Sequence, residues 1–398
     1  MTERVYYRDS YLSEFHACVV DASPDGNRVY LDQTAFYPTS GGQPFDTGEL
    51  GGARVIEVIG EGERIAHVLS EPLHFGGNDP GDGQVNGRID FVRRFDHMQQ
   101  HTGQHLLSAV LLGMFDAPTV SFHLGAEAST IDIARSLDAA DLRAAERRAN
   151  EIIFENRPVT VSFQDSSEDL GLRKPTEREG EVRIVSIEDL DRSACGGTHV
   201  RRTGEIGPIL LRKTDRVRGN LRIEFLCGGR AVVRARADCE ALSGIARIFS
   251  ALLDEAPGLV ETQREKLAES EKARKRLATE LAQARGKALY GEIVPGADGI
   301  RRVLRRAETL GDELRFEAQS FTAAGPAIFL AVASKPPAIL LAVSADSGVD
   351  AGDLLKRALS EAGGRGGGNR MLAQGSLATG EAVDAVVTRL ASELGLPT

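Results

Sequence analysis

Two short motifs, far apart, constrain this chain more than any other feature. His101-Thr-Gly-Gln-His105 lies within Phe91–Met114, where Leu106, Leu107, Val110, Leu111 and Met114 recur at helical spacing. Four residues apart on a helix, the two imidazoles share one face and reach one ion. Cys195-Gly-Gly-Thr-His199 follows about 90 residues later, and its two glycines let the backbone turn so that a thiolate and an imidazole converge. Together the motifs make a set of three histidines and one cysteine, suited to tetrahedral zinc. A metalloprotease motif would carry Glu after its first histidine; Thr102 stands there, so that general base is missing. Four simultaneous ligands close a site in the structural manner, whereas a catalytic zinc keeps an open position. The sequence leaves both readings open.

The 398 residues exceed one ordinary core and point to two or three domains. Residues 1–90 read as short strands (Cys18–Asp21, Arg28–Asp32, Arg54–Ile59, Arg64–Leu69) with turn chemistry such as Ser23-Pro-Asp-Gly-Asn, as in a small barrel. Tyr37-Pro-Thr-Ser-Gly-Gly-Gln-Pro44 interrupts them as a rigid, glycine-bearing loop. Residues 91–230 mix helices (Phe91–Met114, Asp138–Asn156) with strands (Val159–Phe163, Val182–Ile187, Ile209–Arg212, Arg222–Leu226), an α+β pattern. Residues 231–294 are helical and charged. Leu242, Ile245, Ile248 and Leu252 form an apolar stripe, and Glu261–Lys287 reads as a long solvated helix or hairpin arm broken near Ala256-Pro-Gly258. Residues 295–398 predict a small α/β unit: buried strands Ala327–Ala333 and Ala338–Val343, helices Ala351–Ala362 and Gly380–Leu394, and a loop at Gly363–Gly368. The expected fold class is α+β and multidomain, with an N-terminal β-barrel, a zinc-bearing α+β domain, a helical arm and a C-terminal α/β domain.

No apolar run approaches 18 residues, the first residues lack an apolar signal core, and four cysteines make no disulfide framework. The expected setting is cytoplasmic, without a membrane. A net charge of −10 argues against an all-over basic nucleic-acid coat. Residues 201–236, however, hold ten basic groups against three acidic ones, which predicts a basic face beside the zinc pocket through Arg212, Lys213, Arg216 and Arg218. The glycine-rich run at 363–368 misses the dinucleotide register at Asn369 and lacks a P-loop Lys-Ser/Thr, so no ATP site is expected.

His101-Thr-Gly-Gln-His-Leu-Leu followed by Cys195-Gly-Gly-Thr-His resembles the editing domain shared by alanyl-tRNA synthetases and the freestanding AlaX editing proteins. Leu31-Asp-Gln-Thr-Ala-Phe-Tyr-Pro-Thr-Ser-Gly-Gly-Gln43 is similar to the glycine-rich loop of their barrel, and Gly363–Ser376 to their C-terminal DHH-associated domain. Three motifs in family order cover nearly the whole chain, as in the long AlaX form. The resemblance implies a trans-editing hydrolase that clears serine or glycine from mischarged tRNA(Ala), rather than a ligase. A pocket built for alanine rejects glycine, or an added hydroxyl, by only about 10–200-fold, so a second site is needed.

The same resemblance implies one Zn2+ per chain on His101, His105, Cys195 and His199. It assigns Thr34 to the serine hydroxyl, and Gln43, after Gly41 and Gly42, to the ester. The tRNA(Ala) acceptor end would meet the basic face and the backbone of Gly366, Gly367 and Gly368, and the helical arm allows a homodimer. Zinc either activates water or only orients the substrate; the second is favoured. A tRNA- or partner-binding protein with a structural zinc is the alternative, and a phosphoesterase is disfavoured because no Asp-His-His occurs. His97 reads as surface or as a neighbour of the ligands, and His123, in Ser121-Phe-His-Leu, as a candidate for the site's lining. His16, His67 and His74 read as ordinary, and Cys18, Cys227 and Cys239 as small fillers.

Overall fold

The computed structural model describes residues 1–73, 83–177 and 179–397; His74 lies outside them. The chain divides into two compact units, Met1–Ile245 and Ala246–Thr398.

In the first unit, strands Glu14–Ala22, Arg28–Leu31, Arg64–Leu69, Ala53–Glu61, Gly48–Leu50 and Gln84–Ile89 pair in that order, and the last pairs back onto the first. Alternation does the work: Val29, Leu31, Val55, Val58, Ile65 and Leu69 point inward and bury, with Phe15 and Phe36 edge-to-face among them. Gly48 closes the ring, because a Cβ there would strike the Arg88 carbonyl.

Asp90 accepts the Arg93 N–H and starts helix α1 (Phe91–Phe115). Nearly every residue from Arg94 to Leu111 on α1 is buried, including both histidines of the first motif. A capping box at Asp138 opens α2 (Ala139–Phe154). These helices pack on two antiparallel sheets. One runs Ile209–Val217, Asn220–Cys227, Ser129–Ile133, Thr119–Leu124, and the other Val159–Asp165, Glu181–Ile187, Asp191–Ala194. Strands 119–124, 129–133 and 191–194 are absent from the sequence reading: each is short, and each mixes polar residues with apolar ones.

Helix α3 (Gly228–Ile248) crosses the division between the units. The apolar stripe expected there is not covered: Ile245, Ile248 and Leu252 are exposed. Helix α4 (Ala256–Glu292) is one continuous helix, about 55 Å long at 1.5 Å per residue. Pro257 does not break it but opens it, sitting in the first turn where its missing N–H is not needed.

In the second unit, strands Arg301–Ala307, Ala327–Ser334, Pro337–Val343, Leu372–Ser376 and Arg365–Gly368 form one mixed sheet. The run Ala327–Ala333 is apolar at every position because both faces are covered. Ile328, Leu330 and Val332 meet α6 (Ala351–Glu361) and α7 (Gly380–Leu394) on one side. Phe329 and Ala331 meet α5 (Asp312–Ala323) on the other. Gly286 of α4 lets α5 come close, since a Cβ would strike the Glu317 carbonyl. The glycine-rich segment is not a loop. Arg365–Gly368 is an exposed edge strand whose other side pairs with Leu372–Ser376, which leaves no side chain to crowd Leu359 or the neighbouring backbone.

Candidate metal centre

The helix register and the distant loop do meet. His101, His105, Cys195 and His199 place one donor atom each within 4.8 Å of one another. Cys195 Sγ lies 3.5 Å from His101 Nε2 and 3.3 Å from His199 Nε2. Tetrahedral zinc, with Zn–N near 2.0–2.1 Å and Zn–S near 2.3 Å, sets N and S roughly 3.6 Å apart along an edge. The donors therefore fit such an ion in type, number and spacing.

Each imidazole is held by its other nitrogen, which fixes the tautomer and turns Nε2 to the centre. His101 Nδ1 meets Gln43 Oε1 at 2.9 Å, His199 Nδ1 meets Thr102 Oγ1 at 3.1 Å, and His105 Nδ1 meets Asp191 Oδ2 at 3.1 Å. Asp191 is itself tied to Arg173 Nε at 2.6 Å and to the Ser193 hydroxyl at 2.9 Å. Thr102, at the position a protease gives to its general base, is thus a prop for a ligand.

Burial opposes charge on Cys195, but the His101 and His199 imidazoles outweigh it and hold the thiol well below its ordinary range. Burial likewise opposes a proton on His105, yet Asp191 and Cys195 raise it to about 9. Burial dominates at His199, which falls to about 3. A metal needs the thiolate and neutral imidazoles, so binding one expels the His105 proton.

The two glycines of Cys195-Gly-Gly-Thr-His199 provide room rather than a turn. A Cβ on Gly197 would lie under 3.0 Å from two atoms of the His101 ring and 3.1 Å from Gln43 Oε1. Gly41 and Gly42 do need their freedom, at φ +54° and +81°, in a tight turn closed by Ser40 and Gln43 backbone hydrogen bonds.

That turn sends Gln43 inward, fully buried. Its Oε1 accepts from the Thr198 N–H at 3.1 Å as well as facing His101, and its Nε2 donates to Thr198 Oγ1 at 2.8 Å. Through these bonds Gln43 positions a ligand and the second motif, and it is not among the residues lining the cavity. Thr34 is placed elsewhere. It is fully buried in the barrel, 2.8 Å from His67 Nε2 and accepting the Phe36 N–H, and does not line the cavity above the cluster. His67 is therefore a core partner, pushed down to about 4 by burial.

His97 is buried rather than on the surface and its Nδ1 lacks a partner, while His123 does not line the cavity. Cys227 is a buried filler against Gly103, and Cys18 and Cys239 are exposed.

The cavity, about 670 Å³, includes Tyr7, Tyr37, Gln104, Phe122 and three ligands in its lining. Among the described residues its Lys and Arg side chains are Arg4, Arg173 and Lys174, which the sequence reading missed. The predicted basic face lies outside the lining, and acids from elsewhere fold onto it. Arg201 meets Asp9, Arg222 meets Asp132, Arg230 meets Asp96, and both Arg212 and Arg234 meet Asp238. Those four acids cut a surplus of seven charges to three. Lys213 and Arg212 also share Glu224, while Arg216 and Arg218 stay exposed at the hairpin end.

A second missed feature ties the barrel to the helix. Arg94 of α1 and Asp46, both fully buried, pair through Nε and Nη2. Arg94 also donates to the Ser10 and Ala35 carbonyls, and Asp46 accepts the Tyr37 N–H.

Residues 182–224 match the model of the threonyl and alanyl tRNA synthetase second additional domain, and residues 317–395 match the DHHA1 domain. The chain is 34% identical over 412 residues to alanyl-tRNA editing protein AlaX-L of Pyrococcus horikoshii, covering 99% of this chain and 100% of that protein. The chain belongs to the alanyl-tRNA editing protein family. It is also 34% identical over 247 residues to alanyl-tRNA editing protein Aarsd1 of Danio rerio, covering 56% and 58% of the two chains. To alanine–tRNA ligase of Pyrococcus abyssi it is 31% identical over 424 residues, 98% of this chain but only 44% of the ligase. The chain thus spans less than half the length of the ligases it matches. Within the family match, residues 182–224 contain Cys195 and His199, whereas His101 and His105 lie outside both matched segments.

Proposed function

We propose that this chain is a trans-editing hydrolase that cleaves the aminoacyl ester of Ser-tRNA(Ala) or Gly-tRNA(Ala). One observation carries the reading: a four-donor cluster, each imidazole held by a second group, borders a cavity of small-ligand size in a chain that aligns end to end with an AlaX-L protein.

A zinc ion on His101, His105, Cys195 and His199 supplies positive charge beside the bound ester. The chain's own residues do the rest. Gln43, Thr102 and Asp191 keep the rings in place, and Arg4 and Lys174 meet the phosphates of the acceptor end. Among the described residues no Asp or Glu lines the cavity, so no lining carboxylate serves as base and the alignment of water and ester carries the rate.

The reading extends to four parts, 1–90, 91–230, 231–294 and 295–398: barrel, editing domain, helical arm and DHH-associated domain. Arg216 and Arg218 and the edge strand at Gly366–Gly368 add tRNA contacts, and the protein works in the cytoplasm, as a homodimer through its arm. The alternative, a binding protein with a structural zinc, is favoured by one fact: four donors leave no open position on a tetrahedron.

Deacylation decides between them. The purified protein releases serine or glycine from mischarged tRNA(Ala) and spares Ala-tRNA(Ala); inactivity on both mischarged substrates sinks the hydrolase reading.

A further inference from the structure

The cavity wall formed by α1 and strand Thr119–Leu124 carries polar groups that the metal cluster does not use. Gln104, Thr119 and Ser121 all line it. Thr119 and Ser121 flank an irregularity of the ladder at Val120, and all three residues line the cavity. Gln104, Thr119 and Ser121 each send one donor behind the wall. Gln104 Nε2 donates to Ser108 Oγ at 2.7 Å, Thr119 Oγ1 donates to the same atom at 2.8 Å, and Ser121 Oγ donates to Asp132 Oδ2 at 2.8 Å. What is left on the two hydroxyls is lone pairs, and on Gln104 a second N–H and the carbonyl Oε1. Gln104 is only 2% exposed, and its buried Oε1 has no hydrogen-bond partner. A buried acceptor without a donor costs about 1–3 kcal/mol, so a site that keeps one is built to receive a donor.

We propose that Gln104, with Thr119 and Ser121, forms a neutral acceptor patch that binds the free α-amino group of the aminoacyl ester. This rests on the hydrolase reading above. Three observations select the amino group. An amino group brings two or three N–H donors, matching three acceptor oxygens, whereas a serine hydroxyl brings one. Among the described residues no carboxylate lines the cavity, and Arg4 and Lys174 in the lining disfavour an ammonium near them, Arg173 being paired with Asp191. Glycine and serine esters alike carry this group, so the patch serves both. Gln104 and His105 both line the cavity, so an amine held by the patch sets the ester's place relative to the cluster. Gln104 is thereby a substrate-binding residue, not a ligand.

The test compares tRNA(Ala) carrying glycine with the same tRNA carrying glycolate, in which a hydroxyl replaces the amine. The wild-type holoprotein clears the glycyl ester at least about 10-fold faster. Gln104→Met removes the acceptor with little change in volume. It slows glycyl and seryl release about 10–100-fold, leaves glycolyl release within about threefold, and keeps full zinc content. Equal loss on glycyl and glycolyl esters, or no loss on either, overturns the patch. Ser121→Ala, at an exposed strand position, covers the case of a misfolded Gln104→Met. It narrows the glycyl-to-glycolyl ratio several-fold, and an unchanged ratio counts against the patch. Wild-type inactivity on every ester defeats the hydrolase reading itself, whereas wild-type activity with no preference for the amine defeats this inference alone.

Discussion

Two adjacent glycines offer a sharp test of how the metal centre is assembled. Adding one methyl at Gly197 places a carbon under 3.0 Å from two His101 ring atoms, and Gln43 Oε1 stands 3.1 Å away. Carbon contacts settle near 3.5–4.0 Å, so something must move by on the order of 1 Å. The ring cannot yield cheaply, because its Nδ1 is held by Gln43 and its Nε2 faces Cys195. Metal–ligand distances tolerate only about 0.2 Å. Gly197→Ala therefore lowers zinc affinity by about 100-fold, near 2.7 kcal/mol, the upper end for losing a ligand's support. Gly196→Ala is the control, since its methyl meets the Tyr7 hydroxyl at 3.3 Å, on a ring that can shift. It costs less than about fivefold. Competition with a zinc chelator reads both affinities, and thermal melts confirm folding. Wild-type affinity in Gly197→Ala, or equal losses in the two variants, refutes close packing as the reason for the glycine.

Asp191→Asn weakens the hold on His105 and lowers zinc affinity about 10–100-fold by the same chelator assay. Arg94→Met leaves Asp46 buried without its partner and costs about 3–5 kcal/mol in urea unfolding. The depressed His67 pKa, about 4 against 6.5 unfolded, means the unfolded chain binds the proton more readily. Its share of stability is complete above pH 6.5 and is lost as pH falls towards 4, about 3 kcal/mol in all; histidine NMR should find His67 still neutral at pH 5. Thr34→Val removes the His67 partner and lowers stability by about 1–3 kcal/mol while the serine-to-glycine rate ratio holds, and a selective loss on serine would restore the hydroxyl contact.

Much of this was legible from local pattern. Helical spacing put His101 and His105 on one face, and an uninterrupted apolar run marked Ala327–Ala333 as a strand covered on both sides. Local pattern failed where a segment's conformation answers to its neighbours. Gly363–Gly368 looks like a loop by composition, yet Arg365–Gly368 pairs as an edge strand because glycine alone fits beside Leu359. The stripe on α3 has the right period for burial, but period says nothing about what lies opposite.

The sequence by itself determined the donor chemistry, since only Cys and His at those spacings offer soft and borderline ligands from one helix face and one glycine-bearing loop. Tertiary structure alone decided what supports them. Gln43 against His101, Asp191 against His105, and Arg94 against Asp46 join residues 58, 86 and 48 positions apart. Such pairs leave no periodic trace in the chain, because a hydrogen bond depends on where two backbones end up and not on the residues between them.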